Sequence, residues 1–74
     1  MVTIEEAQQS KEKMDIFIDE NYGLVGKAIR KLHLPPEDDY WQEGAIGLIK
    51  AARRYDKSFG TTFSTYAIPI IAGQ

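Results

Sequence analysis

The sequence contains no cysteine and a single histidine, His33. Without cysteine the chain forms neither a disulfide nor a thiolate metal site, and one imidazole does not make a histidine cluster. We therefore expect no metal and no other cofactor. An enzyme is the weakest of the functions considered, because the sequence shows no paired nucleophile and base and no glycine-rich phosphate loop.

Long apolar runs are also missing. No stretch approaches the roughly 20 apolar residues that a membrane span needs, and the amino-terminal segment is polar and acidic, unlike a targeting signal. We expect a cytoplasmic protein that has no membrane partner. The length of 74 residues corresponds to one domain or a piece of one.

The chain lacks the basic surplus of a generic nucleic-acid binder, since its net charge is −2. The average conceals a pattern. Acidic residues predominate over 1–20 and 37–43, whereas basic residues predominate over 27–31 and 50–57. Blocks of opposite sign therefore follow one another along the chain.

Two helices are predicted in the first half of the chain. Thr3 and Glu6 have the spacing of a capping box, so the first helix starts near Thr3. Apolar residues then recur at steps of three and four as far as Leu32. Asn21, a favoured N-cap, interrupts this stripe, and Gly23 weakens a helix interior. We predict helices over about 3–20 and 22–33 that meet at a break.

The second half predicts two more helices. Leu34-Pro35-Pro36 stops the preceding helix, because proline lacks the amide hydrogen. A helix over about 38–55 is favoured by acidic residues at its start and basic residues at its end. A turn over 56–61 leads to a last helix over about 63–74, which we interpret as cut short. The expected fold is all-α, a small bundle of about four helices in one domain over 1–74.

A helical wheel gives the third helix two unlike sides. The core side carries Trp41, Ala45, Leu48, Ala52 and Tyr55. The polar side carries Asp39, Gln42, Glu43, Lys50 and Arg53, with Ile49 at its border and Ile46 in its middle. Ile46 is either an isolated exposed residue or the apolar centre of a partner interface.

Three runs of residues carry a family resemblance. They are residues 39–51 (DYWQEGAIGLIKA), the pair Tyr55-Asp56 and residues 63–67 (FSTYA). Together they resemble region two of the bacterial RNA polymerase sigma factors, and residues 67–73 are similar to the alternative factors of stress response and sporulation. The resemblance covers about 21–74. It implies the region-two helical fold and a module that docks on core RNA polymerase and helps recognise and melt the promoter minus ten element.

By position, the resemblance implies that the third helix binds a coiled coil of the largest polymerase subunit. The implied docking residues are Asp39, Gln42, Glu43, Ala45 and Ile49, to which the wheel adds Ile46. An acidic ridge that carries an amide suits a basic partner, and such complementarity sets encounter rate and partner choice. The alternative for these residues is a solvated helix face.

The resemblance also implies contact with the non-template single strand of promoter DNA. By resemblance, Tyr66 would be the wedge that replaces a flipped adenine of the minus ten element. Aromatic faces capture unstacked bases in this way. The implied DNA-binding residues are Arg53, Arg54, Tyr55, Lys57, Thr65 and Tyr66. The three basic side chains are candidate phosphate contacts, whereas the position of Tyr55 on the core side favours packing.

A second hypothesis is a stand-alone interaction protein. It would supply region two to a split sigma factor, or act as a decoy that binds an anti-sigma factor. Single-stranded minus ten DNA separates the hypotheses, because a decoy has no need to bind it. A melting module binds it with an affinity that falls as salt rises.

Overall fold

The helices follow one another with short connections in the computed structural model, which describes residues 1–35 and 37–73. They are α1 (Ile4–Gln9), α2 (Lys11–Glu20), α3 (Gly23–Lys31), α4 (Asp38–Arg54) and α5 (Phe63–Ala72), with a 3-10 turn at Lys57–Phe59 between the last two. The described residues form no strand, so the all-α prediction is confirmed. Pro36, part of the predicted helix stop, and Gln74, the predicted end of the last helix, lie outside the described residues.

The predicted helix over 3–20 is wrong in one respect, because Ser10 divides it. Its start is confirmed: the Glu6 N–H donates to Thr3 Oγ1 at 3.2 Å, and the Thr3 N–H donates to Glu6 Oε1 at 3.0 Å. Ser10 has an extended backbone with φ −148° and ψ 127°. Its Oγ accepts a hydrogen bond from the Lys13 N–H at 3.4 Å. The serine therefore ends α1 and caps α2.

The predicted break between α2 and α3 is confirmed, but Asn21 acts differently from the expected N-cap. It follows the last residue of α2, and its Nδ2 donates to the Phe17 carbonyl at 2.8 Å. Tyr22 precedes α3 and makes no side-chain capping bond. The asparagine therefore satisfies a carbonyl at the end of one helix instead of starting the next.

α3 ends at Lys31, two residues earlier than predicted. A residue with a left-handed backbone, located before the prolines, ends the helix. His33 has φ 58°. Its N–H donates to the Arg30 carbonyl at 3.0 Å, and the Leu34 N–H donates to the Ile29 carbonyl at 3.1 Å. These two bonds form a Schellman motif. Leu34 then packs against the main core cluster.

The main core lies between α3, α4 and α5. Leu48 of α4 and Val25 of α3 are completely buried. Gly44 lets the two helices approach, since a Cβ there would lie 2.5 Å from Val25 Cγ1. The cluster consists of Leu24, Val25, Ala28, Ile29, Leu48, Ala51, Ala67 and Ile71.

A smaller core cluster joins α1 and α2 to α4. It consists of Ala7, Phe17 and Ala52. Phe63 packs against both clusters and so links them. Trp41 and Tyr55, predicted on the core side of α4, are half-buried. Over 1–35 and 37–73, no helix is both long and apolar enough to cross a membrane.

Candidate functional site

The predicted docking residues lie together along one side of α4. Asp39, Gln42, Glu43 and Ile46 are exposed, whereas Ala45 and Ile49 are half-buried. Ile46, at the centre of the row, is 51% exposed. We call the row formed by Asp39, Gln42, Glu43, Ala45, Ile46 and Ile49 the α4 ridge. Its role in binding stays a prediction.

Charge is distributed unequally along α4. Asp38 and Asp39 occupy the first turn, and Arg53 and Arg54 occupy the last. Each pair complements the helix dipole at its end. The ridge therefore begins acidic and runs toward a basic end.

An open groove of about 550 Å³ is lined by residues of α1, α2 and α4. Ala7, Met14, Ile18 and Ile49 supply its apolar lining. Its remaining lining residues are Gln8, Gln9, Ser10, Lys11, Asp15, Asp19 and Arg53. Ile49 of the ridge and Arg53 of the basic end thus border the same groove.

The basic residues predicted to contact phosphate lie at the end of α4 and in the following turn. Arg53, Arg54 and Lys57 are all exposed. Lys57 Nζ lies 3.3 Å from Glu5 Oε2 of α1. Because both side chains of this ion pair are exposed, it contributes little to stability and is screened by salt.

The turn after α4 is fixed at both ends. Asp56 Oδ1 accepts a hydrogen bond from the Ser58 N–H at 2.8 Å, and this bond holds the pKa of the Asp56 carboxyl below its usual value. Gly60 has φ 77°, a conformation that costs glycine little. The Tyr55 hydroxyl donates to the Thr61 carbonyl across the turn. The predicted turn over 56–61 is confirmed, and these bonds define its shape.

Four rings form an aromatic cluster at this end of the molecule: Tyr55, Phe59, Phe63 and Tyr66. The Tyr55 ring centroid lies 5.5 Å from that of Tyr66 and 5.6 Å from that of Phe63. The structure therefore brings together two of the predicted DNA-binding residues, both half-buried. Thr65 is exposed on α5, and its Oγ1 accepts from the Thr62 hydroxyl at 2.9 Å.

Sequence reasoning missed Phe59, which is 50% exposed. Its ring centroid lies 5.3 Å from Tyr66 and 6.1 Å from Tyr55. The available signal was a large apolar residue inside a turn, between Ser58 and Gly60, where no core face is expected.

Sequence reasoning also missed Gln8, which connects α1 to the end of α4. Its Nε2 donates to the Ala52 carbonyl at 2.9 Å and to the Tyr55 carbonyl at 2.8 Å. The last carbonyls of a helix have no partner within the helix, so Gln8 satisfies groups that α4 leaves open. No local pattern identifies this contact, since its partners lie 44 and 47 residues away.

The described portion of the chain holds no group of three or more histidine, aspartate or glutamate side chains arranged to bind a metal ion. What the described side chains offer is two surfaces of unlike charge, at the two ends of α4. An acidic ridge with an apolar centre suits a basic partner, and a basic, aromatic end suits an anionic partner that has flat rings.

Residues 17–74 match the family model described as Sigma-70 region 2. The match contains the whole of α3, α4 and the aromatic cluster. The chain belongs to the Sigma-70 region 2 family, and the resemblance drawn from its motifs is confirmed.

Individual relatives agree with this assignment. The chain is 38% identical over 74 residues to the RNA polymerase sigma-F factor of Bacillus licheniformis, covering 96% of this chain and 29% of that protein. It is 43% identical over 60 residues to the RNA polymerase sigma-G factor of Clostridium acetobutylicum, covering 78% and 23%. It is 48% identical over 40 residues to the RNA polymerase sigma-B factor of Bacillus anthracis, covering 54% of this chain and 16% of that protein. The similarity to alternative sigma factors is confirmed.

The chain spans less than a third of the length of each of these three relatives. No solved structure matches it.

Proposed function

We propose that this chain is a non-catalytic transcription initiation module, the region-two part of an alternative sigma factor. It docks on core RNA polymerase through the α4 ridge and contacts promoter DNA through the opposite end of α4. The observation that carries the proposal is Ile46, which is 51% exposed in the middle of the α4 ridge, beside the exposed polar residues Gln42 and Glu43.

The exposure of Ile46 favours a docking surface over a solvated face. An apolar side chain surrounded by polar groups has the anatomy of an interface centre and its rim. Asp39 and Glu43 supply negative charge beside it. The complementary partner is a basic helical surface, which fits a coiled coil of the largest polymerase subunit.

The opposite end of α4 supports contact with the non-template strand. Arg53 and Arg54 end α4, Lys57 lies in the turn that follows, and all three are exposed. Tyr66 belongs to the aromatic cluster, in which it contacts Tyr55 and Phe59. Basic side chains hold phosphates, and aromatic rings stack on unpaired bases. Promoter melting follows because a strand whose bases are held by the protein is withdrawn from the duplex.

Binding to the coiled coil of the largest polymerase subunit tests the docking half. The wild-type chain and Glu43→Lys are compared by titration calorimetry, after circular dichroism shows that both are helical. We expect Glu43→Lys to weaken binding at least tenfold, about 1.4 kcal/mol, because a like charge then faces the basic partner.

Glu12→Lys is the matched control, since it makes the same charge change at an exposed site on α2, away from the ridge. It should bind within about twofold of wild type. If both variants lost the same affinity, the effect would come from the net charge of the chain and not from the ridge. If wild type does not bind the coiled coil, docking is rejected, and an anti-sigma factor becomes the partner to test.

Binding to a single-stranded oligonucleotide that carries a minus ten sequence tests the DNA half. We expect an affinity that falls with salt, with a log-log slope near −0.7 for each phosphate contacted. Arg54→Ala should reduce the steepness of this slope, whereas Lys11→Ala at the start of α2 should leave it unchanged. A pure decoy for an anti-sigma factor would show no such binding.

A further inference from the structure

The open groove beside α4 continues the apolar part of the α4 ridge. Ile46 and Ile49 lie one turn apart on α4, and Ile49 also lines the groove. Met14 and Ile18 contribute apolar lining from α2, where they pack against the smaller core cluster and are half-buried. An apolar surface therefore runs from the exposed centre of the ridge into the groove.

The helix α2 leads from the end of α4 back toward its start. Its first residue, Lys11, follows Gln8 by three positions, and the Gln8 amide is bonded to the Ala52 carbonyl near the end of α4. Beyond the other end of α2, the Tyr22 ring is stacked on Trp41, near the start of α4, at a centroid distance of 5.4 Å. The two helices therefore run in opposite directions along the groove.

The charged residues that line the groove are ordered along it. They are Lys11, Asp15, Asp19 and Arg53, all of them exposed. Lys11 and Arg53 lie where α1 meets the end of α4. Asp15 and Asp19 follow one and two turns later along α2, toward the start of α4. Within the described part of the chain no ion pair joins these four side chains. The groove is therefore basic at one end and acidic at the other.

The ridge alone is small for a protein interface. A stable interface takes about 20 to 30 residues from each partner, whereas the ridge is a single row on one helix. The groove adjoins the ridge at Ile49 and adds lining residues from α1 and α2. Those of α1, and those of α2 as far as Asp15, precede residue 17, where the match to the family model begins. A partner that covers both surfaces therefore also contacts a part of the chain outside the matched segment.

The lining of the groove fits a helix. Packed helices have axes about 8 to 10 Å apart, so a coiled coil that docks one helix on the ridge brings its second helix alongside. An apolar stripe on that helix would cover Met14, Ile18 and Ile49. Its acidic residues would face the basic end of the groove, and its basic residues the acidic end. A nucleic-acid strand is anionic along its whole length and does not match the acidic end.

We propose that the groove is a second docking site for the coiled coil of the largest polymerase subunit, so that one helix lies on the α4 ridge and the other in the groove. This inference rests on the proposed function, because it takes the ridge to be the site of the first helix. α1 and the start of α2 thereby take part in docking. The order of charges along the groove fixes the direction in which the coiled coil lies.

A charge exchange tests the order of charges. Lys11→Glu combined with Asp15→Lys reverses this order and leaves the net charge of the chain unchanged. The new pair has its acidic residue first, which is the better order for residues four apart in a helix, so the fold should be retained. Circular dichroism and thermal melting verify this.

Titration calorimetry with the coiled coil should show an affinity at least about fivefold lower than that of wild type, because like charges then face each other at both positions. Glu12→Lys combined with Lys27→Glu is the matched control. It exchanges charges at two exposed sites that do not line the groove, and it should bind within about twofold of wild type.

Met14→Ala tests the apolar lining. It shortens a side chain that the second helix would cover, so the affinity for the coiled coil should fall about 5-fold to 30-fold. Ile16→Ala is the matched control, since Ile16 is 48% exposed on the same helix and does not line the groove. It should bind within about twofold of wild type. Because Met14 also packs against the smaller core cluster, affinities are compared at a temperature at which thermal melting shows every variant folded.

The inference requires a loss of affinity in both groove variants. If wild type binds the coiled coil and either groove variant binds it equally well, the inference is overturned, while Glu43→Lys still tests the ridge and the proposed function. If wild type does not bind the coiled coil, docking is rejected, and this inference with it.

Discussion

The side-chain amide of Gln8 donates a 2.8 Å hydrogen bond to the main-chain carbonyl of Tyr55, which fixes α1 to the end of α4. A second bond, 2.9 Å long, reaches the Ala52 carbonyl. Tyr55, which precedes the turn, is thus held by a residue near the amino terminus. α1 precedes the segment that matches the family model, yet it supports the aromatic cluster within that segment.

Gln8→Ala should therefore lower the free energy of unfolding by about 1 to 3 kcal/mol, since it removes two hydrogen bonds that contribute about 0.5 to 1.5 kcal/mol each. Gln8→Glu should cost more, because a carboxylate would face two carbonyl oxygens. Urea denaturation measures both effects, and amide exchange over 55–61 should accelerate in each variant. Gln9→Ala, at the exposed neighbour, is the control; if it destabilises as much as Gln8→Ala, the hydrogen bonds do not explain the effect.

Most of the fold could be predicted because its causes are local. Charges at the ends of α4, the apolar stripe of α3 and the capping box at Thr3 each act within a few turns of helix. Helical spacing alone also places Ile46 beside Glu43, whereas the other residues of the ridge were assigned from the family resemblance.

The features that the sequence did not reveal have causes that helical periodicity does not carry. They are a contact distant in sequence, a serine that interrupts a helix, and the position of a ring in a turn. Gln8 reaches a carbonyl 47 residues away. Ser10 divides α1 from α2 although the surrounding residues favour a continuous helix. Phe59 owes its exposure to the shape of the turn, and helical periodicity carries no information about a turn residue.

Gly44→Ala should destabilise the fold by about 1 to 3 kcal/mol, the usual cost of overpacking a core. The added Cβ would lie 2.5 Å from Cγ1 of the fully buried Val25. Gly23→Ala is the matched control, because nothing lies within 4 Å of a Cβ at that helical position. It should be neutral or stabilising by up to about 1 kcal/mol.

A double-mutant cycle isolates the contact between Gly44 and Val25. Val25→Ala removes the methyl group that the new Cβ would meet, so Gly44→Ala should cost less in that background. Additive costs would show that some other contact limits the site.

Stability should fall in acid through Glu6. The Thr3 N–H, followed by Lys13 and the Thr3 hydroxyl, lowers the pKa of this carboxyl from 4.5 to about 2. Between these values the unfolded chain binds the proton more readily, so the stability that Glu6 contributes is complete above pH 4.5 and is lost as pH falls toward 2. Urea denaturation across this range measures the loss.

Glu6→Gln separates this titration from other acid effects. Glutamine retains the capping geometry at this position and carries no proton equilibrium. Its stability should decline less steeply between pH 4.5 and 2 than that of wild type. Parallel declines for the two proteins would assign the acid sensitivity to other carboxyl groups.

His33→Gly should stabilise the chain, because His33 adopts φ 58° at the end of α3. A residue with a Cβ is strained in this left-handed region, and glycine is not, so the Schellman motif should form at lower cost. We expect about 1 kcal/mol, which raises Tm by about 4 to 8 °C in a domain of this size. His33→Val should lower Tm, since a branched Cβ fits the conformation worst. Thermal melting of the three proteins should therefore rank glycine above histidine and histidine above valine, and a lower Tm for His33→Gly than for wild type would contradict the argument.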